Sequence, residues 1–87
     1  MTVYMVEREL KGIAMADLAA AQQAAIRKAR EYAGAGTPMR YIRSTFAPED
    51  GRCMCLFEAD DPAQVARLND EANIPYTRVV EALDLTP

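Results

Sequence analysis

Met39-Arg40-Tyr41-Ile42-Arg43-Ser44-Thr45-Phe46, then Ala47-Pro48-Glu49-Asp50-Gly51, then Arg52-Cys53-Met54-Cys55-Leu56-Phe57-Glu58-Ala59: the reading of this stretch decides the fold. Two runs of apolar, aromatic and β-branched residues flank a segment whose Pro, Asp and Gly have turn chemistry, which predicts an antiparallel hairpin. Upstream, Met15 to Ala33 is rich in Ala, Gln, Lys and Arg. Leu18, Ala21, Ala25, Ala29 and Tyr32 recur there at three- and four-residue steps, so this is a long amphipathic helix, stopped by Gly34 to Pro38. Downstream, Asp61-Pro62-Ala63-Gln64 supplies an N-cap acceptor, a proline at the first helical position and an amide able to reach back. Val65, Leu68 and Ala72 then mark the inner face of a shorter helix, with Asn73 suited to its C′ position and Pro75 closing it. Thr2 to Glu9 and Thr77 to Leu85 read as the outer strands. The order β-α-β-β-α-β is the ferredoxin-like α+β arrangement, a four-stranded antiparallel sheet with two helices on one face, in a single domain over residues 1–87.

The composition excludes several classes of function. Ten basic against thirteen acidic residues give a net charge of −3, without the cationic field that nucleic-acid binding uses. The apolar runs are far shorter than the roughly 20 residues a membrane span needs. A cytoplasmic protein is expected, with no nucleic-acid or membrane partner. Cys53 and Cys55, two apart on a strand, suit that compartment as free thiols. There is no histidine, so no Ser-His-Asp or Cys-His arrangement can form. No phosphate loop, dinucleotide fingerprint or metalloprotease helix is present.

Strand faces carry the expectation about assembly. Val3 and Met5 lie opposite Tyr4 and Val6, and Met54 and Leu56 lie opposite Cys53, Cys55 and Phe57, so both sheet faces carry apolar side chains. A domain of this size is marginally stable alone, and such an open face predicts a homodimer packed sheet to sheet. On the second strand, Tyr41 and Arg43 share a face by simple alternation and would make an anion or polar-ligand site with an aromatic wall. Hairpin register stays open: pairing Phe46 with Cys53 puts Arg43 opposite Leu56 and sends Cys55 to the other face, whereas a one-residue shift puts Arg43 and Cys55 together.

Tyr4-Met5-Val6-Glu7-Arg8, Arg40-Tyr41-Ile42-Arg43-Ser44, Cys55-Leu56-Phe57-Glu58-Ala59-Asp60-Asp61-Pro62 and the tail from Asn69 through Ile74-Pro75 to Arg78-Val79 together resemble a family of small bacterial domains that includes nickel-binding proteins of ferredoxin-like fold. The resemblance spans nearly the whole chain and implies a dimeric ferredoxin-like protein that binds a metal ion or a small anionic ligand. Many relatives carry a His where this chain has Arg43 and another near Leu68. Without those imidazoles nickel, the cofactor the resemblance implies, is disfavoured. What remains as a metal set is Cys53 and Cys55, two thiols that a twofold axis would double into a four-thiolate site, with the carboxylates of Glu7, Glu58 and Glu81. The candidate ligand-binding set is Glu7, Tyr41, Arg43, Ser44, Cys55 and Asn69. No catalytic residue is assigned. Two alternatives stand beside the binding reading. One is a cofactor-independent isomerase, cyclase or monooxygenase on a dimeric α+β barrel, with Tyr41, Arg43 and a carboxylate doing the chemistry. The other is a ligand-free regulatory or structural dimer.

Overall fold

The computed structural model describes residues 1–87. Its elements are β1 (Thr2–Glu9), α1 (Met15–Gly34), β2 (Met39–Ala47), β3 (Arg52–Ala59), α2 (Pro62–Glu71) and β4 (Arg78–Glu81). The strands form one sheet in the order β2-β3-β1-β4, with every neighbouring pair antiparallel. Both helices cover one face of it, and this is the ferredoxin-like fold. The inner side chains are Tyr4 and Val6 of β1, Cys53, Cys55, Phe57 and Ala59 of β3, Ala25, Ala29 and Tyr32 of α1, and Val65 and Leu68 of α2. Val6, Phe57, Val65 and Leu68 are completely buried. Each contributes about 1.5–3 kcal/mol of burial free energy before conformational entropy is set against it.

Local signals account for the helix ends. The Asp61 carboxylate accepts from Ala63 N at 2.7 Å, with Pro62 at the first helical position. Asn73 takes the left-handed conformation (φ 57°), Ile74 N donates to Asn69 O and Asn73 N to Asp70 O, which together are a Schellman closure. Ile74, the residue after Asn73, is buried, an apolar placement that often accompanies this closure. The Gln64 amide does not reach back to complete a capping box; its Oε1 is buried without a partner.

Two expectations are corrected. Strand β4 covers only four residues, not Thr77 to Leu85, because its sole neighbour is β1 and pairing ends with Tyr4 opposite Glu81 near the start of that strand. The chain then turns away, and Asp84 reaches across to Arg43 of β2 at 3.0 Å. The second correction concerns β2. Phe46 pairs with Cys53, Ser44 with Cys55 and Arg43 with Leu56, but Tyr41 pairs with Phe57, so Ile42 is an extra residue in a β-bulge. Alternation inverts there. Tyr41 therefore faces the helices while Arg43 faces the open side, and the two do not share a face.

Candidate functional site

Three cross-strand rows on the helix-covered face set out the site. Phe46, Cys53 and Arg8 form one row, Ser44, Cys55 and Val6 the next, and Tyr41, Phe57 and Tyr4 the third. Over the first two rows runs α1, which contributes Leu18, Ala21, Gln22 and Ala25. Between them lies a cavity of about 140 Å³, whose wall also includes Leu10 and Ile74. Its polar lining comes from Arg8, Gln22, Ser44, Thr45 and the two thiols. No glutamate, aspartate or histidine lines it.

The polar groups are linked. Gln22 Nε2 donates to the Tyr41 hydroxyl at 3.1 Å, that hydroxyl is hydrogen-bonded to Ser44 Oγ, and Ser44 Oγ donates to Cys55 Sγ at 2.9 Å. The Cys55 and Cys53 sulfurs are 4.0 Å apart. Tyr41 is set by an edge-to-face contact on Phe57, with ring centroids 5.4 Å apart. Burial first, and then the adjacent Cys55 sulfur, push the Cys53 thiol up to about 11, against a smaller opposing pull from Arg8. Cys53 is thus a neutral thiol at physiological pH.

Arg8 is the unexpected member. Its side chain is 3% exposed, deeper than arginine normally goes. Its guanidinium donates to Asn69 Oδ1 at 2.7 Å and to Pro75 O at 3.2 Å, both neutral acceptors. Asn69 is held in turn by donating to Val65 O at 2.8 Å within α2. The ion pairs of the molecule, Lys28 with Glu31 and Glu71, Arg40 with Glu58, Arg43 with Asp84 and Arg78 with Glu7, leave Arg8 without a carboxylate. One sequence signal pointed to it: Arg8 has the parity of Tyr4 and Val6, the inward side chains of β1.

Of the residues singled out from the sequence, Ser44, Cys53 and Cys55 line the cavity, Tyr41 borders it through Ser44, and Asn69 stands behind Arg8. Glu7 and Arg43 do not join them. Both sit on the open face, Glu7 paired with Arg78 and Arg43 with Asp84. Glu58 is on that face too, paired with Arg40, and Glu81 is exposed on β4. The two thiols point toward α1, so a twofold axis at the open face cannot gather four of them. Nowhere do three His, Cys, Asp or Glu side chains cluster as a metal-binding group. Gln22 was not foreseen, because a helical glutamine among alanines carries no signal of its own. No helix is long and apolar enough to cross a membrane.

Comparison with known proteins agrees with this architecture. The crystal structure of SCO4226 from Streptomyces coelicolor A3(2) superposes with a TM-score of 0.79 over 98% of this chain and 99% of that one, at 20% sequence identity. No curated protein matches. The family described as nickel responsive protein SCO4226-like matches residues 4–82, almost the entire chain. The protein is a member of the SCO4226-like family.

Proposed function

We propose that this chain is a ligand-binding member of its family, working as a homodimer, that takes a small organic anion with an apolar body into the cavity under α1. The observation that carries the reading is Arg8: a buried guanidinium lining a cavity, with neutral hydrogen-bond partners and no carboxylate. A buried charge without a counter-charge is costly, and an anionic ligand would supply one. Leu10, Leu18, Phe46 and Ile74 suit an apolar body, and Ser44 and Gln22 a second polar contact. The volume favours a ligand of few heavy atoms.

Nickel, which the family description suggests, does not fit the residues present. The chain has no histidine, no three donors of the usual kinds converge, and Arg8 places positive charge beside the two thiols. The enzyme alternative needed Tyr41, Arg43 and a carboxylate around one substrate, and the bulge at Ile42 separates the first two.

The test is native mass spectrometry of protein purified without a metal-affinity step, followed by a thermal-shift panel of small carboxylates and phosphates. A retained small anion, or a melting temperature raised by one of the acids in wild type and in Arg43→Met but not in Ser44→Ala, is expected. Nickel bound stoichiometrically at submicromolar affinity, or an anion-induced shift lost in Arg43→Met, would overturn the reading.

A further inference from the structure

We infer that Cys53 and Cys55 form a low-coordinate site for a soft monovalent cation, copper(I) being the natural candidate, with Arg8 as its built-in counter-charge. This goes beyond the organic-anion reading and does not depend on it.

Geometry supplies the first argument. Strand β3 turns both sulfurs to the same face, both line the cavity, and they stand 4.0 Å apart. With metal–sulfur bonds of about 2.3 Å, that spacing places one ion between them at an S–metal–S angle of about 120°, wider than a tetrahedral site requires. The surroundings supply the second argument. Zinc and the harder divalent ions need four or more donors, and the cavity wall offers no imidazole or carboxylate to complete such a set. A soft ion content with two thiolates is the kind this pair can satisfy.

Charge supplies the third. Each sulfur binds as thiolate after its proton leaves to solvent, and the metal keeps its oxidation state, so no oxidant or reductant enters. Two thiolates and one monovalent ion carry a net charge of −1. Register sets Arg8 opposite Cys53, and its guanidinium has no carboxylate partner, so the buried complex would be neutralised where it forms. A divalent ion on the same two sulfurs would give a neutral complex and leave Arg8 uncompensated. Ser44 Oγ, which donates to Cys55 Sγ at 2.9 Å, would stabilise the thiolate form of that sulfur.

The test is an anaerobic titration of the full chain with copper(I) in competition with bicinchoninate, compared with Cys53→Ser, Cys55→Ser, Arg8→Lys and Arg8→Gln. Circular dichroism checks that each variant is folded. One copper(I) per chain is expected, with two sulfur neighbours by X-ray absorption. Either serine variant should lose more than the roughly 10–100-fold that removal of an outer-shell partner costs. Arg8→Lys should stay near wild type, while Arg8→Gln should weaken copper(I) more than mercury(II), whose bis-thiolate complex is neutral. Copper left entirely with bicinchoninate, or held by both serine variants as tightly as by wild type, would overturn the site; equal losses of copper and mercury in Arg8→Gln would overturn the role given to Arg8. Carboxylate-induced thermal shifts of copper-free protein report on the organic-anion reading separately.

Discussion

Cys53 is an acid that the fold keeps neutral. Its thiol is raised from 9.0 to about 11, by burial first and then by the sulfur of Cys55. The unfolded chain releases this proton near the lower value and the folded chain near the higher one. The contribution to stability is therefore whole below pH 9 and disappears as pH rises toward 11. Denaturant midpoints measured across that window should fall more steeply for wild type than for Cys53→Ala, which has no proton to lose there. Some slope should survive in the variant, because burial also raises Tyr32 and Tyr76 above 10.0. Parallel curves would mean that Cys53 ionises as freely folded as unfolded. At this scale the legibility of the site divides by residue type. Ser44 and Cys55 could be named as candidates but not placed, because small polar and thiol side chains suit either face of a strand; the register that pairs them sets both under α1. Arg8 could not be named, since its type argues for the surface while its parity argues for the interior.

Turns decide where the elements meet, and Gly51 is the turn glycine with the least room for a side chain. It takes a left-handed conformation (φ 76°), and a Cβ there would overlap the backbone of Lys11. The close approach is bonded, with Leu10 N donating to Gly51 O at 2.6 Å, so the β2–β3 loop and the loop after β1 seal one end of the sheet together. Gly51→Ala should cost about 1–3 kcal/mol, as overpacking typically does, which for a domain of this size is a melting temperature lower by several degrees. A change of less than a degree would mean that the two loops separate without cost. The hairpin, both helices and the Asn73 closure followed from turn chemistry and apolar spacing. What alternation could not convey was the bulge at Ile42. A period of two carries a residue's face only as far as the ladder is regular, and no feature of Tyr41-Ile42-Arg43 marks the extra residue. Once it is present, Tyr41 turns inward beside Phe57, while Arg43, in regular register opposite Leu56, stays on the open face. The shortening of β4 was hidden for a related reason, because strand length is set by the partner β1 and not by the β-propensity of Thr77 to Leu85.

The molecule as a whole leaves one sheet face uncovered. Val3 and Met5 of β1, Met54 and Leu56 of β3 and Val80 of β4 lie there, ringed by the Arg40–Glu58, Arg43–Asp84 and Arg78–Glu7 pairs. Apolar centre and charged rim are the anatomy of an interface. The chain after β4 extends it: Asp84 pins the tail toward β2 while Leu83 and Leu85 stand 78% and 85% exposed, an unfavourable place for leucine unless a second surface meets it. A standard interface buries roughly 800 Å² per partner. The occupant proposed for this face is a second copy, since the same face brought round a twofold axis would offer its own apolar centre to the first. Leu56, opposite Met5 near the middle, is where charge would do most damage. Sedimentation equilibrium at micromolar concentration should give twice the 9.6 kDa chain mass for wild type and the single-chain mass for Leu56→Glu, with the variant still folded by circular dichroism. A wild-type monomer at high concentration would remove the dimer. The cavity reading would survive that result, because Arg8, Ser44, Cys53 and Cys55 all lie on the opposite side of the sheet.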